Sequence, residues 1–138
     1  MYPYLKRKLE KIDYEIQIKT ATFVAYAKTP IPEMCDDEMF REIYRSRSEL
    51  LTSLNSLCQI QIDELKRVYA ELLVPNVSKY SSTEHKINDL EEELNELIKN
   101  LPEKKILFFA RMDCVHDNLI SQYNLRRELF ETLVAIVD

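Results

Sequence analysis

The chain has 138 residues, a net charge of −5, 31% charged and 46% apolar residues, and not one glycine. Glycine supplies positive φ in tight turns and lets backbone close on phosphates, so its absence excludes a Walker A loop, a Rossmann fingerprint and a G-x-S-x-G elbow. Tight two-residue hairpins are disfavoured with them, and with this composition the chain reads as all-helical.

The first predicted helix runs from about residue 3 to 28. Pro3 suits a first turn, where its missing N–H costs nothing, and Leu5, Leu9, Ile12, Ile16, Phe23 and Ala27 form one stripe. Ile18 and Val24 lie off that stripe, so a second face is partly apolar. The helix is basic: Lys6, Arg7, Lys8, Lys11, Lys19 and Lys28 stand against Glu10, Asp13 and Glu15. "KTPIPEMCDDE" then breaks the pattern, because a proline biases the residue before it away from helix. Thr29 precedes Pro30 in this linker and is a candidate phosphorylation site, where a phosphate would alter docking of the helix end.

The second helix is expected over about 37 to 74, with Asp36, Asp37 and Glu38 placing negative charge at its start. Phe40, Tyr44, Arg47, Leu51, Leu54, Cys58, Gln61, Leu65, Val68 and Leu72 keep a spacing of three and four. That narrow stripe is a coiled-coil seam. At 1.5 Å per residue it makes a rod of roughly 55 Å, longer than a compact globule of this size, about 35 to 40 Å across. Arg47 and Gln61 are its polar members. Pro75 ends the helix, and "PNVSKYSS" reads as a loop.

Ser81 and Glu84 fit a capping box for a third helix over about 82 to 101. Its apolar residues Ile87, Leu90, Leu94, Leu97 and Leu101 repeat 3, 4, 3, 4, and Glu91, Glu92, Glu93 and Glu96 make it acidic. The basic first helix and this acidic one are expected to attract each other, within one chain or between chains. Pro102 either closes a short hairpin or kinks one long rod. The fourth helix, about 103 to 137, is apolar on several sides and so reads as central. It ends in "LVAIVD", an apolar terminus expected either to dock on a partner or to continue into a longer protein.

"RMDCVHDN" is the densest chemistry. Asp113 and His116 are three apart on one face, but a di-metal bundle needs E-x-x-H on two helices and two more carboxylates. Cys114 and His116 lie about 200° apart around a helix and cannot pair for catalysis. The plain reading puts Cys114 in the core and His116 at a polar edge. No cofactor, metal or catalytic group is expected, and the chain is read as no enzyme.

These features predict an all-α fold, an antiparallel four-helix bundle with long coiled-coil-like helices, forming one helical module. The expected function is a helical interaction or scaffold subunit that forms homodimers or hetero-oligomers. Its expected contact residues are Ile87, Leu90, Leu94 and Leu97, then Phe130, Leu133, Val134 and Val137. The alternative is nucleic-acid association through Lys6, Arg7, Lys8 and Lys11, against which the net negative charge weighs. Cys35, Cys58 and Cys114 are an odd set at wide spacing, expected as free thiols in a reducing cytoplasm or nucleus. No run of 18 apolar residues predicts a membrane span.

Overall fold

The computed structural model describes residues 1–29, 36–100 and 105–138, with side chains of the last stretch from 111 onward. Four long helices follow one another: α1 (Pro3–Lys28), α2 (Asp37–Leu73), α3 (Val77–Lys99) and α4 (Lys105–Val137). Asp36 caps α2, its carboxylate accepting from the Met39 amide at 2.8 Å. The acidic residues that follow therefore sit at the positive end of the helix dipole, as the sequence leads one to expect.

Side-chain pairs across the bundle fix its topology. Lys8 meets Glu64 at 3.1 Å and the Tyr2 amide donates to the Tyr69 hydroxyl at 3.0 Å, so α1 and α2 run antiparallel. Ser48 bonds Asn95, and Asn55 bonds Asn88, which makes α2 and α3 antiparallel. Asp13 meets Arg127 while Phe23 meets His116, so α1 and α4 are antiparallel as well. Arg126 bonds Asn55 and Tyr123 reaches the Leu51 carbonyl, a parallel crossing of α2 with α4. The molecule is an up-down-up-down antiparallel bundle, and α2 and α4 touch across its middle. Helices α3 and α4 form a hairpin rather than one kinked rod, and residues 101–104 between them lie outside the described part.

Two expectations about the second connection are overturned. "PNVSKYSS" is not a loop. Val74–Asn76 is a single 3-10 turn with Pro75 in its first positions, and α3 starts at Val77. Ser81 and Glu84 therefore lie inside α3 and form no capping box there. Proline in the opening turn of a helix loses nothing, so Pro75 starts the turn it was expected only to terminate. The early start buries Tyr80 and Thr83. The second correction concerns phase. Tyr69 has non-helical backbone angles, φ −123° and ψ 28°, inside α2. Beyond it the buried position passes to Leu73, while Leu72 on the expected stripe is exposed.

The core falls into two apolar clusters stacked along the bundle. One holds Phe23, Tyr44, Leu51, Leu94, Val115 and Leu119 among others. The second holds Leu5, Leu9, Ile62, Leu65, Phe130 and Leu133. Buried polar side chains lie between and beside them: Gln61, Thr83, Arg126 in the middle, Arg47 and His116 toward the far end.

Candidate functional site

The leucine seam of α3 is occupied within the chain. Ile87 and Leu94 are fully buried, Leu97 nearly so, and Leu90 is half-buried against the same cluster. Their neighbours in that cluster come from α2 and α4, so these four residues face helices of their own chain. Leu101, which would continue the seam, lies outside the described residues. The other expected contact residues are placed similarly. Phe130 and Leu133 are core, and Val134 and Val137 are half-buried against it. Leu90, Val134 and Val137 keep part of their surface toward solvent, while the other members of the two sets are covered by helices of the same chain. The apolar end of α4 packs beside the chain's own beginning, where the Met1 ammonium donates to the Val137 carbonyl at 3.3 Å.

Helix α4 shows why its sequence looked apolar on several sides. From residue 111 onward its buried residues are Met112, Val115, His116, Leu119, Tyr123, Arg126, Phe130 and Leu133, a narrow seam. Leu125 and Ile136 are exposed. His116 and Arg126 occupy seam positions. The plain reading of "RMDCVHDN" is thereby reversed: Cys114 is exposed and His116 buried. The cause is register. Position 116 continues the four-then-three spacing from Met112 to Leu119, and position 114 falls outside it.

His116 sits in an aromatic and cationic cage. Its ring meets Phe23 edge-on at 5.4 Å and stacks on Tyr44 at 6.2 Å. The Arg47 guanidinium lies 4.7 Å from the Tyr44 ring centre. Burial, then the Arg47 charge, lowers the imidazole pKa to about 4, against opposing pulls from Asp113 and Asp117. The ring is neutral at pH 7, and its Nε2 has no hydrogen-bond partner among the described residues. Among the described residues no group of three or more His, Cys, Asp and Glu is gathered in a way that could hold a metal ion.

A second polar layer centres on Arg126, which is 2% exposed. Its Nη1 donates to Asn55 Oδ1 at 2.7 Å, and its guanidinium lies 4.7 Å from the Tyr123 ring centre. Tyr123 donates to Glu91 Oε1 at 2.6 Å, with the Leu51 carbonyl a second acceptor at 3.3 Å. Burial raises the Glu91 pKa, opposed by that hydrogen bond and by the Arg126 charge. Burial likewise pushes the Cys58 thiol up although Arg126 lies beside it. Arg126 Nε and Nη2 and Gln61 Nε2 have no oxygen or nitrogen acceptor among the described residues. Sequence reasoning found Gln61 and missed Arg126, which the seam spacing from Tyr123 to Phe130 would have exposed.

The outward side of α1 carries the remaining signal. Tyr4, Arg7, Lys11, Tyr14, Ile18, Ala21 and Ala25 repeat with spacing 3, 4, 3, 4, 3, 4 and all are exposed. They lie opposite the face that carries Leu5, Leu9, Ile16 and Phe23 inward. The ion pairs of α1 run to α2 and α4, through Lys8–Glu64 and Asp13–Arg127. Among the described residues no ion pair involves Lys6, Arg7 or Lys11. The expected attraction between basic α1 and acidic α3 is thus not made by ion pairs inside the chain. Glu93 of α3 instead holds Arg111 of α4 at 2.6 Å. Thr29 ends α1, its hydroxyl donating to the Ala25 carbonyl at 2.8 Å and its carbonyl accepting from Arg47 Nη2 at 3.5 Å.

Comparison with known protein families, with curated proteins and with solved structures finds no match. Among the described residues no helix is long and apolar enough to cross a membrane.

Proposed function

We propose that this chain is a non-catalytic helical interaction subunit, and that it docks an acidic amphipathic helix of a partner protein along the outer side of α1. The observation that carries the reading is the exposed heptad stripe from Tyr4 to Ala25. It repeats at heptad spacing, about 32 Å long at 1.5 Å per residue, and of its members Tyr4 is reached by Arg67 of α2 while Tyr14, Ile18, Ala21 and Ala25 stand exposed. Tyr14 and Ile18 are 66% and 50% exposed, an apolar cost in water that a covering helix removes. The partner's chemistry follows from the flanks. Arg7 and Lys11 share the stripe and Lys6 lies beside it, so a matching helix presents apolar residues with carboxylates opposite its basic half.

Self-pairing through α1 matches less well. A parallel pair sets the basic halves face to face. An antiparallel pair sets them against residues 17–28, which hold no acid. The outer side of α3 in a second copy offers Asp89, Glu92 and Glu96 but no apolar stripe. One helix covering one helix buries a small area, so the expected affinity is micromolar. A reducing interior, cytoplasm or nucleus, suits the exposed thiol of Cys114. One feature favours a second reading. Tyr4, Arg7, Lys11 and Tyr14 interleave aromatic and basic side chains, as single-strand nucleic-acid binders do.

The test is a photo-crosslinking residue at position 18 in the full chain inside cells, with position 92 on α3 as control. The reading expects an adduct at 18 and not at 92, to a protein whose cross-linked segment is an acidic helix with apolar residues at heptad spacing. That purified segment should then bind at least tenfold more weakly to a Tyr14→Asp, Ile18→Asp variant, and more weakly in high salt. Cross-links to a second copy of this chain, to nucleic acid, or equally from both positions would overturn it.

A further inference from the structure

The Arg126 layer presents a problem that the interaction surface on α1 does not solve. A guanidinium carries five N–H donors and keeps its charge at any ordinary pH. Arg126 is only 2% exposed, yet among the described residues Nη1 alone has an oxygen acceptor, the Asn55 amide, with the Cys58 thiol as a weak sulfur partner beside the group. The unpartnered nitrogens are Nε and Nη2. Those two point to the same side of the guanidinium plane edge, and together they are the fork that takes a carboxylate with two parallel hydrogen bonds. Gln61 Nε2, 4% exposed as a residue, is a third donor without an acceptor. Leaving such groups unpaired is costly, most of all for the charged one.

These donors border a cavity. A space of about 30 Å³ is lined by Arg126, Gln61, Thr20, Asn124, Ile16 and Phe130 among others. It is large enough for a carboxylate head or a water and too small for more. Beside it, sharing Asp13, Gln61 and Phe130, lies a groove of about 240 Å³ between the first half of α1 and the last of α4. Leu9, Phe130 and Val134 give that groove apolar walls, and Lys6 and Glu10 stand at its rim. Glu131 also lines the groove, paired with Arg127 at 3.5 Å, and the carboxylates about the Arg126 layer have partners of their own. Asp13 is paired with Arg127 at 3.6 Å, and Glu91 is reached only through the Tyr123 hydroxyl.

We propose that the groove between α1 and α4 binds a small monocarboxylic acid with an apolar body, its carboxylate on the Nε–Nη2 edge of Arg126 and on Gln61 Nε2. The apolar body lies along Leu9, Phe130 and Val134. Ligand pockets usually measure about 300–1,000 Å³, so a site of about 240 Å³, below that scale, takes a small acid of about six to eight carbons rather than a long-chain fatty acid. The buried guanidinium supplies the specificity. An amide or alcohol of the same shape leaves the fork without its charge partner and so is not held in the groove.

The full chain is titrated with hexanoate, phenylacetate, acetate and hexanamide while its melting temperature and the side-chain N–H signals of Arg126 and Gln61 are followed by NMR. The proposal expects hexanoate or phenylacetate to raise the melting temperature by about 2 °C or more once well above Kd. Both side-chain signals should shift. Acetate should need at least a tenfold higher concentration, and hexanamide should do neither. Arg126→Met removes the response, its own folding checked by circular dichroism. Val134→Phe keeps the arginine, fills the groove and removes the response to the larger acids but not to acetate. The proposal is overturned by equal effects of hexanamide and hexanoate, by a full response in Arg126→Met, or by no carboxylate shifting either signal. A response to chloride with none to any carboxylate overturns it too, since the inner cavity then holds a lone ion.

Discussion

Replacing Leu94 by alanine separates a leucine that serves the chain's own core from one that waits for a partner. Leu94 is fully buried in the cluster it shares with Leu51, Leu54, Val115 and Leu119. Three carbons are lost, about 0.8 kcal/mol each in transfer free energy. A cavity term is added because four long helices relax only in part around the gap. The sum is about 3 to 4 kcal/mol, a large share of the roughly 5–15 kcal/mol that holds a domain folded. Urea denaturation followed by circular dichroism measures it, with the slope unchanged if only the folded state is affected. The matched control is Ile18→Ala on the outer side of α1, where the side chain is half exposed and the change should stay within about 0.5 kcal/mol. Equal and small losses at both positions would refute the placement of the α3 seam inside the bundle. So would an oligomer that dissociates in Leu94→Ala while the monomer stays equally stable.

Further outcomes follow from the buried polar groups and the thiols. His116 is held neutral with its pKa near 4, against an ordinary 6.5, so the unfolded chain binds more protons between those values. Stability should be fully present above about pH 6.5, fall as pH drops, and have lost up to about 3 kcal/mol by pH 4. In His116→Phe that part of the pH dependence should vanish, leaving the opposite contribution of Glu91, whose raised pKa favours folding on acidification. Arg126→Met should be neutral or stabilising by about 1–3 kcal/mol in the absence of ligand, because a buried charge without a counter-ion is replaced by an apolar side chain of similar length. A loss above about 2 kcal/mol in denaturant titration would show that the Asn55 and Tyr123 contacts outweigh desolvation. Peptide-resolved alkylation should label Cys114 rapidly and Cys58 only on unfolding, since burial both covers the Cys58 sulfur and disfavours its thiolate; equal rates would contradict the register of α2.

The fold was legible where one physical signal dominated. Pro3 and Pro30 bracket α1, the acids from Asp36 to Glu38 open α2, and the three-four spacing of Leu51, Leu54 and Leu65 is the buried line of α2. Legibility failed where backbone geometry shifts phase without a marker in composition. Tyr69 leaves helical angles and hands the core position from Leu72 to Leu73. Pro75 starts a 3-10 turn instead of a loop because the polar residues after it bury only Tyr80 and Thr83. In α4 the apolar residues are so many that the seam is defined less by them than by register, and register puts His116 and Arg126 inside while leaving Leu125 and Ile136 outside. The leucine repeat of α3 was visible as a seam, but a sequence shows only that a seam exists. Which helix fills it is decided by tertiary packing, here α2 and α4 of the same chain. For the same reason the stripe on α1 escaped notice: its basic and alanine members look like a solvated face until the opposite face is seen to be spent.

The account turns on the outer side of α1 being bare in the isolated chain and covered in the cell. Ile18→Cys, read by alkylation rate at that residue with Glu92→Cys on α3 as reference, measures this directly. The expected result is two fast, similar rates in the purified protein, and in intact cells a rate at position 18 slowed at least tenfold while position 92 stays fast. Equal rates at both positions in cells, or a slow rate at position 18 in the purified chain, would contradict it.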